Sequence, residues 1–131
     1  MKILNIFTNK KELSEEMKLL NLFADDISFR EFNKLNEIQK KAYLCWWYDC
    51  EMNSGGHSGY FDCYPETNSN ELYNALKEVS NIEIANNYKK AVDKGINDEY
   101  IETDNAYYNF SPSLYDYLNK YISENKEEIF K

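Results

Sequence analysis

An all-α fold, one compact domain over residues 1–131 with about five or six helices around a central aromatic-rich helix, is predicted by three features of the chain. Apolar residues recur at helical spacing in four separate segments, and nowhere do they alternate as a half-buried strand would. Four glycines and two prolines are too few for the turns of a sandwich or barrel. A hydrophobic share of 43%, with 16% aromatic, is too rich for a disordered chain and sufficient for one core.

Each element follows from its own spacing and caps. Lys10 to Ala24 carries Leu13, Met17, Leu20 and Phe23 on one helical face, and Asp25-Asp26 ends it. A second helix, from about Glu31 to Asn53, aligns Leu35, Ile38, Ala42, Cys45 and Met52, with Asp49 on the same face. Within it Tyr43, Leu44, Trp46 and Trp47 make Ala42 to Tyr48 apolar almost all round, as in a helix covered on several sides. The tryptophans are therefore expected in the core rather than stacked on bases. Ser58 to Tyr64 is expected to form one short helix closed by Pro65. Asn68 or Ser69 is placed to cap the next, which carries Leu72, Tyr73, Leu76 and Val79. A further helix holds Ile82, Ile84, Ala85, Tyr88 and Val92, with Gly95 as its left-handed C-cap. Ile96 to Phe110 has no clear period and reads as a long tethered loop with at most one helical turn. Ser111 as cap and Pro112 in the first helical position open the terminal helix of Leu114, Tyr117, Leu118, Tyr121 and Ile122.

The net charge of -8 is concentrated in two blocks. Ala42 to Leu76 contains no Lys or Arg, against Asp49, Glu51, Asp62, Glu66 and Glu71. Gly95 to Asn119 again lacks basic residues and holds Asp98, Glu99, Glu102, Asp104 and Asp116. The rest of the chain is close to neutral. Such blocks attract basic proteins and repel nucleic acid, so direct nucleic-acid binding is not expected. Tyr100, Tyr107 and Tyr108 stand among the second block's acids, a mixture suited to gripping arginine-rich surfaces. The expected partner-binding set is Asp62, Glu66, Glu71, Asp98, Glu99, Tyr100, Glu102, Asp104, Tyr107 and Tyr108. Cys45, Cys50 and Cys63 are an odd number without secretory context and read as reduced thiols. Met1 to Phe7 lacks the features of a signal peptide, and no stretch has the length of a membrane span, so a soluble cytoplasmic protein is expected.

The sharpest local feature is the turn after the second helix. Gly55-Gly56 allows positive backbone angles, and the exposed amides there need an acceptor. Glu51, an acid at the unfavourable end of the helix dipole, is expected to accept them, with Asn53 as a turn residue. No catalytic residue, metal site or cofactor is expected. One His and three scattered Cys match none of the usual zinc spacings, and His57 with Cys63, six residues on, lacks a third partner for nucleophilic chemistry.

The same residues carry a resemblance. Glu51-x-Asn53-x-Gly55-Gly56, then Tyr60-Phe61, an Asn-rich loop and Glu71-Leu72-x-x-Ala75-Leu76-Lys77-Glu78-Val79 resemble the family of bacterial domains named after an acidic DNA-mimic protein. The likeness runs from about Leu35 to Val92. His57 stands where the family pattern has Phe, and Gly59 where it has Gln. The resemblance implies an all-helical fold and carboxylates that imitate DNA phosphates for a DNA-binding protein. Three functional classes follow. The first is a non-enzymatic module that binds a basic protein, as a DNA mimic facing a DNA-binding regulator or as an immunity-type inhibitor of a toxin-like nuclease. The second is a small hydrolase or transferase using Asp49, Glu51 and His57, which would need a deep pocket joining them. The third is a housekeeping domain that forms homo-oligomers, a homodimer for instance, through exposed tyrosines.

Overall fold

The computed structural model describes residues 14–131; the start of the first expected helix, Lys10 to Leu13, and the Met1 to Phe7 segment lie outside the described residues. Eight α-helices are present among the described residues, with no strand: α1 Glu15–Asp25, α2 Glu37–Met52, α3 Gly56–Cys63, α4 Ser69–Val79, α5 Ile82–Lys94, α6 Ile101–Asn109, α7 Leu114–Glu124 and α8 Lys126–Ile129. The count of five or six is therefore corrected upward. The additions are α6, inside the segment read as a loop, and the single turn α8.

Side-chain caps set most helix starts. Ser14, Asn68 and Asn81 each accept a backbone N–H from the first turn of α1, α4 and α5. Reciprocal capping boxes open α2 (Asn36 with Gln39) and α7 (Ser113 with Asp116). Ser113 thus takes the role expected of Ser111, because only its hydroxyl reaches the Asp116 N–H while the Asp116 carboxylate answers its own amide. Before α2 the chain makes two 3-10 turns, Ile27–Phe29 and Phe32–Lys34, so the helix expected from Glu31 begins at Glu37.

Helix α2 packs against α3, α4, α7, α8 and the first 3-10 turn. Only one stripe of it is sealed: Ala42, Cys45, Tyr48 and Met52 are fully buried, while Tyr43, Leu44, Trp46 and Trp47 are half-buried. Trp46 rests on Phe23 at 5.6 Å, and the Trp47 indole N–H donates to the Ser28 carbonyl at 3.0 Å. Helix α1 lies on α7, α4 on α5, and α5 on α6, with Phe23, Leu72, Leu76, Ile84, Leu118 and Ile122 almost completely buried. Each such side chain contributes about 1.5–3 kcal/mol on leaving water.

The C-terminal end of α5 departs from expectation. Gly95 is right-handed (φ -58), and the left-handed residues are Glu99 (φ 57) and Tyr100 (φ 66), after the 3-10 turn Gly95–Asp98. A glycine is nevertheless required at 95. The Tyr100 ring lies on its Cα, so a Cβ there would stand 2.3 Å from Tyr100 Cδ1. The Tyr100 N–H donates to the Gly95 carbonyl at 2.7 Å and closes the loop that launches α6.

Candidate functional site

Gly56 follows α2 with φ +66, as the glycine pair predicts, but Glu51 does not hold the turn through its carboxylate. The backbone carbonyl of Glu51 accepts the Ser54 and Gly55 N–H groups at 3.0 and 2.8 Å. Its side chain lies against Gly55 and Gly59 and, among the described residues, accepts only the Cys63 thiol, at 3.8 Å. Asn53 caps α2, and its amide donates to the Asp49 carbonyl. The acceptor is Asp104, from α6, whose Oδ1 takes the His57 N–H at 3.0 Å and faces His57 Nδ1 at 2.7 Å. A Cβ on Gly56 would meet Asp104 Oδ2 at 2.6 Å, so this glycine serves both the turn and the close approach of α6.

A chain of polar groups runs inward from there. His57 Nε2 lies 2.6 Å from the Tyr48 hydroxyl. An ionised carboxylate only accepts, so Nδ1 carries the ring proton and Tyr48 donates to Nε2. Tyr48 is ringed edge-on by Tyr60, Tyr88 and Tyr107 at 5.1, 5.3 and 5.6 Å. Tyr107 in turn donates its hydroxyl to Asp49 Oδ1, and Tyr108 donates to the Met52 carbonyl. One acid from each block is thereby turned inward, Asp49 from α2 and Asp104 from α6. Together with Tyr48 and His57 they tie α6 to the end of α2 and the start of α3.

Burial lowers the His57 pKa more than Asp104 raises it, so the folded protein favours neutral imidazole. In the unfolded chain the ring takes its proton near the ordinary value of 6.5. Between the two values the unfolded state binds more protons. The stability this ring provides is therefore complete above about pH 6.5 and falls as pH drops toward the lowered folded value. Burial raises the Asp49 pKa, outweighing its Tyr107 hydrogen bond, and has the opposite slope at lower pH. Urea unfolding of the parent and of His57→Phe between about pH 7.5 and 5.5 isolates the histidine. The parent is expected to lose stability across that range by more than the variant; parallel curves would refute the assignment.

Asp49, Glu51 and His57, the residues of the second class, each face a different partner. Asp49 faces Tyr107, Glu51 faces Cys63, and His57 faces Asp104 and Tyr48. Tyr48 and His57 are 0% exposed. Among the described residues no group of three His, Cys, Asp or Glu is arranged to hold a metal ion, and all three cysteines are free thiols.

The residues expected at a partner surface separate into two sets. Asp62, Glu66, Glu71, Asp98, Glu99 and Glu102 are exposed. Glu102 pairs with Lys90, and Asp98 Oδ2 accepts the Glu102 N–H at 3.0 Å; among the described residues the other four lie in no ion pair. Tyr100, Asp104 and Tyr107 are used internally: Tyr107 is only 6% exposed, and Tyr100 packs on Phe61 at 5.5 Å. Tyr108 keeps an exposed ring with a committed hydroxyl. The inward stripe of α6, which the search for apolar periods misses, is Thr103, Asp104 and Tyr107, continued before the helix by Tyr100, at helical spacing but built from polar-tipped side chains. Asp98 and Glu102 border one depression with Lys90 and Lys94, whereas Glu66 and Glu71 border another with Tyr43 and Tyr64.

No helix among the described residues is long and apolar enough to cross a membrane. Residues 33–130 match the family described as DMP19-like protein, which spans α2 through α8. No curated protein and no solved structure matches.

Proposed function

The chain belongs to the DMP19-like protein family, and from that premise we propose that it is a non-enzymatic, DNA-mimic type protein that covers the DNA-binding face of a basic partner. The observation that carries this reading is the pair of charge blocks without Lys or Arg, whose outward members, apart from Asp116 in the capping box of α7, are Asp62, Glu66, Glu71, Asp98, Glu99 and Glu102. Carboxylates held on helices and short loops offer a partner's Lys and Arg the acceptors that phosphates offer in DNA, without the ordering cost of a flexible acidic tail. The partner is of the class of DNA-binding regulators or toxin-like nucleases. The tyrosines of α6 act indirectly, by holding Asp98, Glu99 and Glu102 on a fixed frame.

Capture from native cytosol, followed by identification of the bound proteins, tests this. The parent is expected to retain DNA-binding proteins, to release them to added duplex DNA, and to lose them as salt rises through the range where exposed charges are screened. A variant with the six outward acids changed to Asn or Gln should melt like the parent and recover them poorly. Equal recovery by parent and variant, or indifference to duplex DNA, would overturn the reading.

A further inference from the structure

A groove of about 350 Å³ lies between α2 and the connection from α3 to α4, and none of its lining residues takes part in the His57 chain. Phe32, Tyr43, Leu44 and Tyr64 line it together with the carboxylate residues Glu66 and Glu71. Phe32 and Tyr43 are packed at 5.4 Å, and Tyr64 is stacked on Tyr60 at 5.1 Å, so these rings are fixed in place by neighbours. No Lys or Arg lines the groove, since all its lining except Phe32 belongs to the block without them; Lys40 and Lys41 line the adjoining depression, which shares Leu44 and Glu71. Glu66 and Glu71 lie in no ion pair among the described residues. On the flank, the Lys40 ammonium lies 5.4 Å from the Phe32 ring, whereas among the described residues no Lys or Arg lies over the Tyr43 or Tyr64 ring.

We propose that this groove seats an arginine side chain from an extended basic segment of the protein partner, with the guanidinium between the Tyr43 and Tyr64 rings and paired to Glu66 and Glu71. The inference rests on the DNA-mimic reading and assigns its partner a specific contact. Arginine is favoured over lysine because its planar, weakly hydrated head can lie on an aromatic face while its fork meets carboxylates. Charge complementarity also selects against a second copy of this acidic chain as the occupant.

Fluorescence anisotropy with a labelled peptide of alternating Gly and Arg, beside the same peptide with citrulline for Arg, tests the groove. The parent is expected to bind the Arg peptide at least about tenfold more tightly than the citrulline peptide. Glu66→Gln with Glu71→Gln, and separately Tyr64→Leu, should each weaken the Arg peptide by about tenfold while the melting temperature is retained. Glu99→Gln with Glu102→Gln, away from the groove, should change it by less than about twofold. Equal binding of the citrulline peptide, equal losses in the groove and remote variants, or absence of Arg-peptide binding would each overturn the groove assignment. Capture of DNA-binding proteins that survives the groove substitutions but not the six-acid variant would overturn the groove while leaving the DNA-mimic reading standing. Arg-peptide binding at the groove without DNA-sensitive capture would overturn the DNA-mimic reading instead.

Discussion

Asp104→Ala is expected to lower folding stability by about 3 kcal/mol, because two donors of the fully buried His57, its backbone N–H and its Nδ1–H, lose their acceptor together. The loss reaches further than one residue. An imidazole without a partner at Nδ1 no longer has its tautomer fixed, and the Tyr48 hydroxyl deep in the tyrosine cluster then loses a defined acceptor. Asp104→Asn keeps a carbonyl oxygen in place of Oδ1 and should cost about 1 kcal/mol. Glu102, two residues earlier and exposed on the surface with Lys90, is the contrast: Glu102→Ala should cost less than about 0.5 kcal/mol. Urea unfolding of the three variants checks the order. Similar midpoints for Asp104→Ala and Glu102→Ala would show that Asp104 is a surface acid after all.

Gly95→Ala should cost about 2–3 kcal/mol, although alanine is the better helix former and the backbone of Gly95 is right-handed. The cost is steric. The new methyl group would lie 2.3–2.5 Å from two carbons of the Tyr100 ring, which is itself held by a left-handed backbone and by Phe61. Displacing that ring disturbs the start of α6 and hence the position of Asp104. If this is the cause, the effect disappears once the ring is gone: Gly95→Ala in a Tyr100→Ala background should be neutral or slightly stabilising. An additive double variant would place the cost elsewhere.

The helices that could be read from the sequence are those whose burial is made by aliphatic residues at regular spacing. Leu72, Leu76 and Val79 in α4, Ile84 and Ala85 in α5, and Leu114, Leu118 and Ile122 in α7 repeat on one face and are all buried. Helix α6 escapes because its buried residues are Thr103 and Tyr107, its N-cap is a left-handed tyrosine rather than a Ser or Asn, and its first turn is acidic. Charge alone does not separate surface acids from internal ones, and of Asp49 and Asp104 only Asp104 belongs to the partner set expected from the sequence. Asp49 and Asp104 count toward the acidic blocks in the sequence, yet their carboxylates accept hydrogen bonds from Tyr107 and His57. His57 and Asp104 are 47 positions apart, so no local spacing joins them. The glycine turn was legible, and its need for an acceptor was legible; the nearest acid, Glu51, was simply not the one that folding delivers.

The Tyr48, His57 and Asp104 chain also constrains how this lineage can change. A phenylalanine at position 57, the residue that the resemblance implies for the family, could lie against Phe61 as the imidazole does, at 6.0 Å. Reaching phenylalanine by that single substitution would strand the Tyr48 hydroxyl, while altering Asp104 first would strand the imidazole. Either first step passes through a less stable intermediate. Histidine and aspartate at these positions are therefore expected to be inherited or lost together, so that a descendant with phenylalanine at 57 would be freed from keeping an acid at 104.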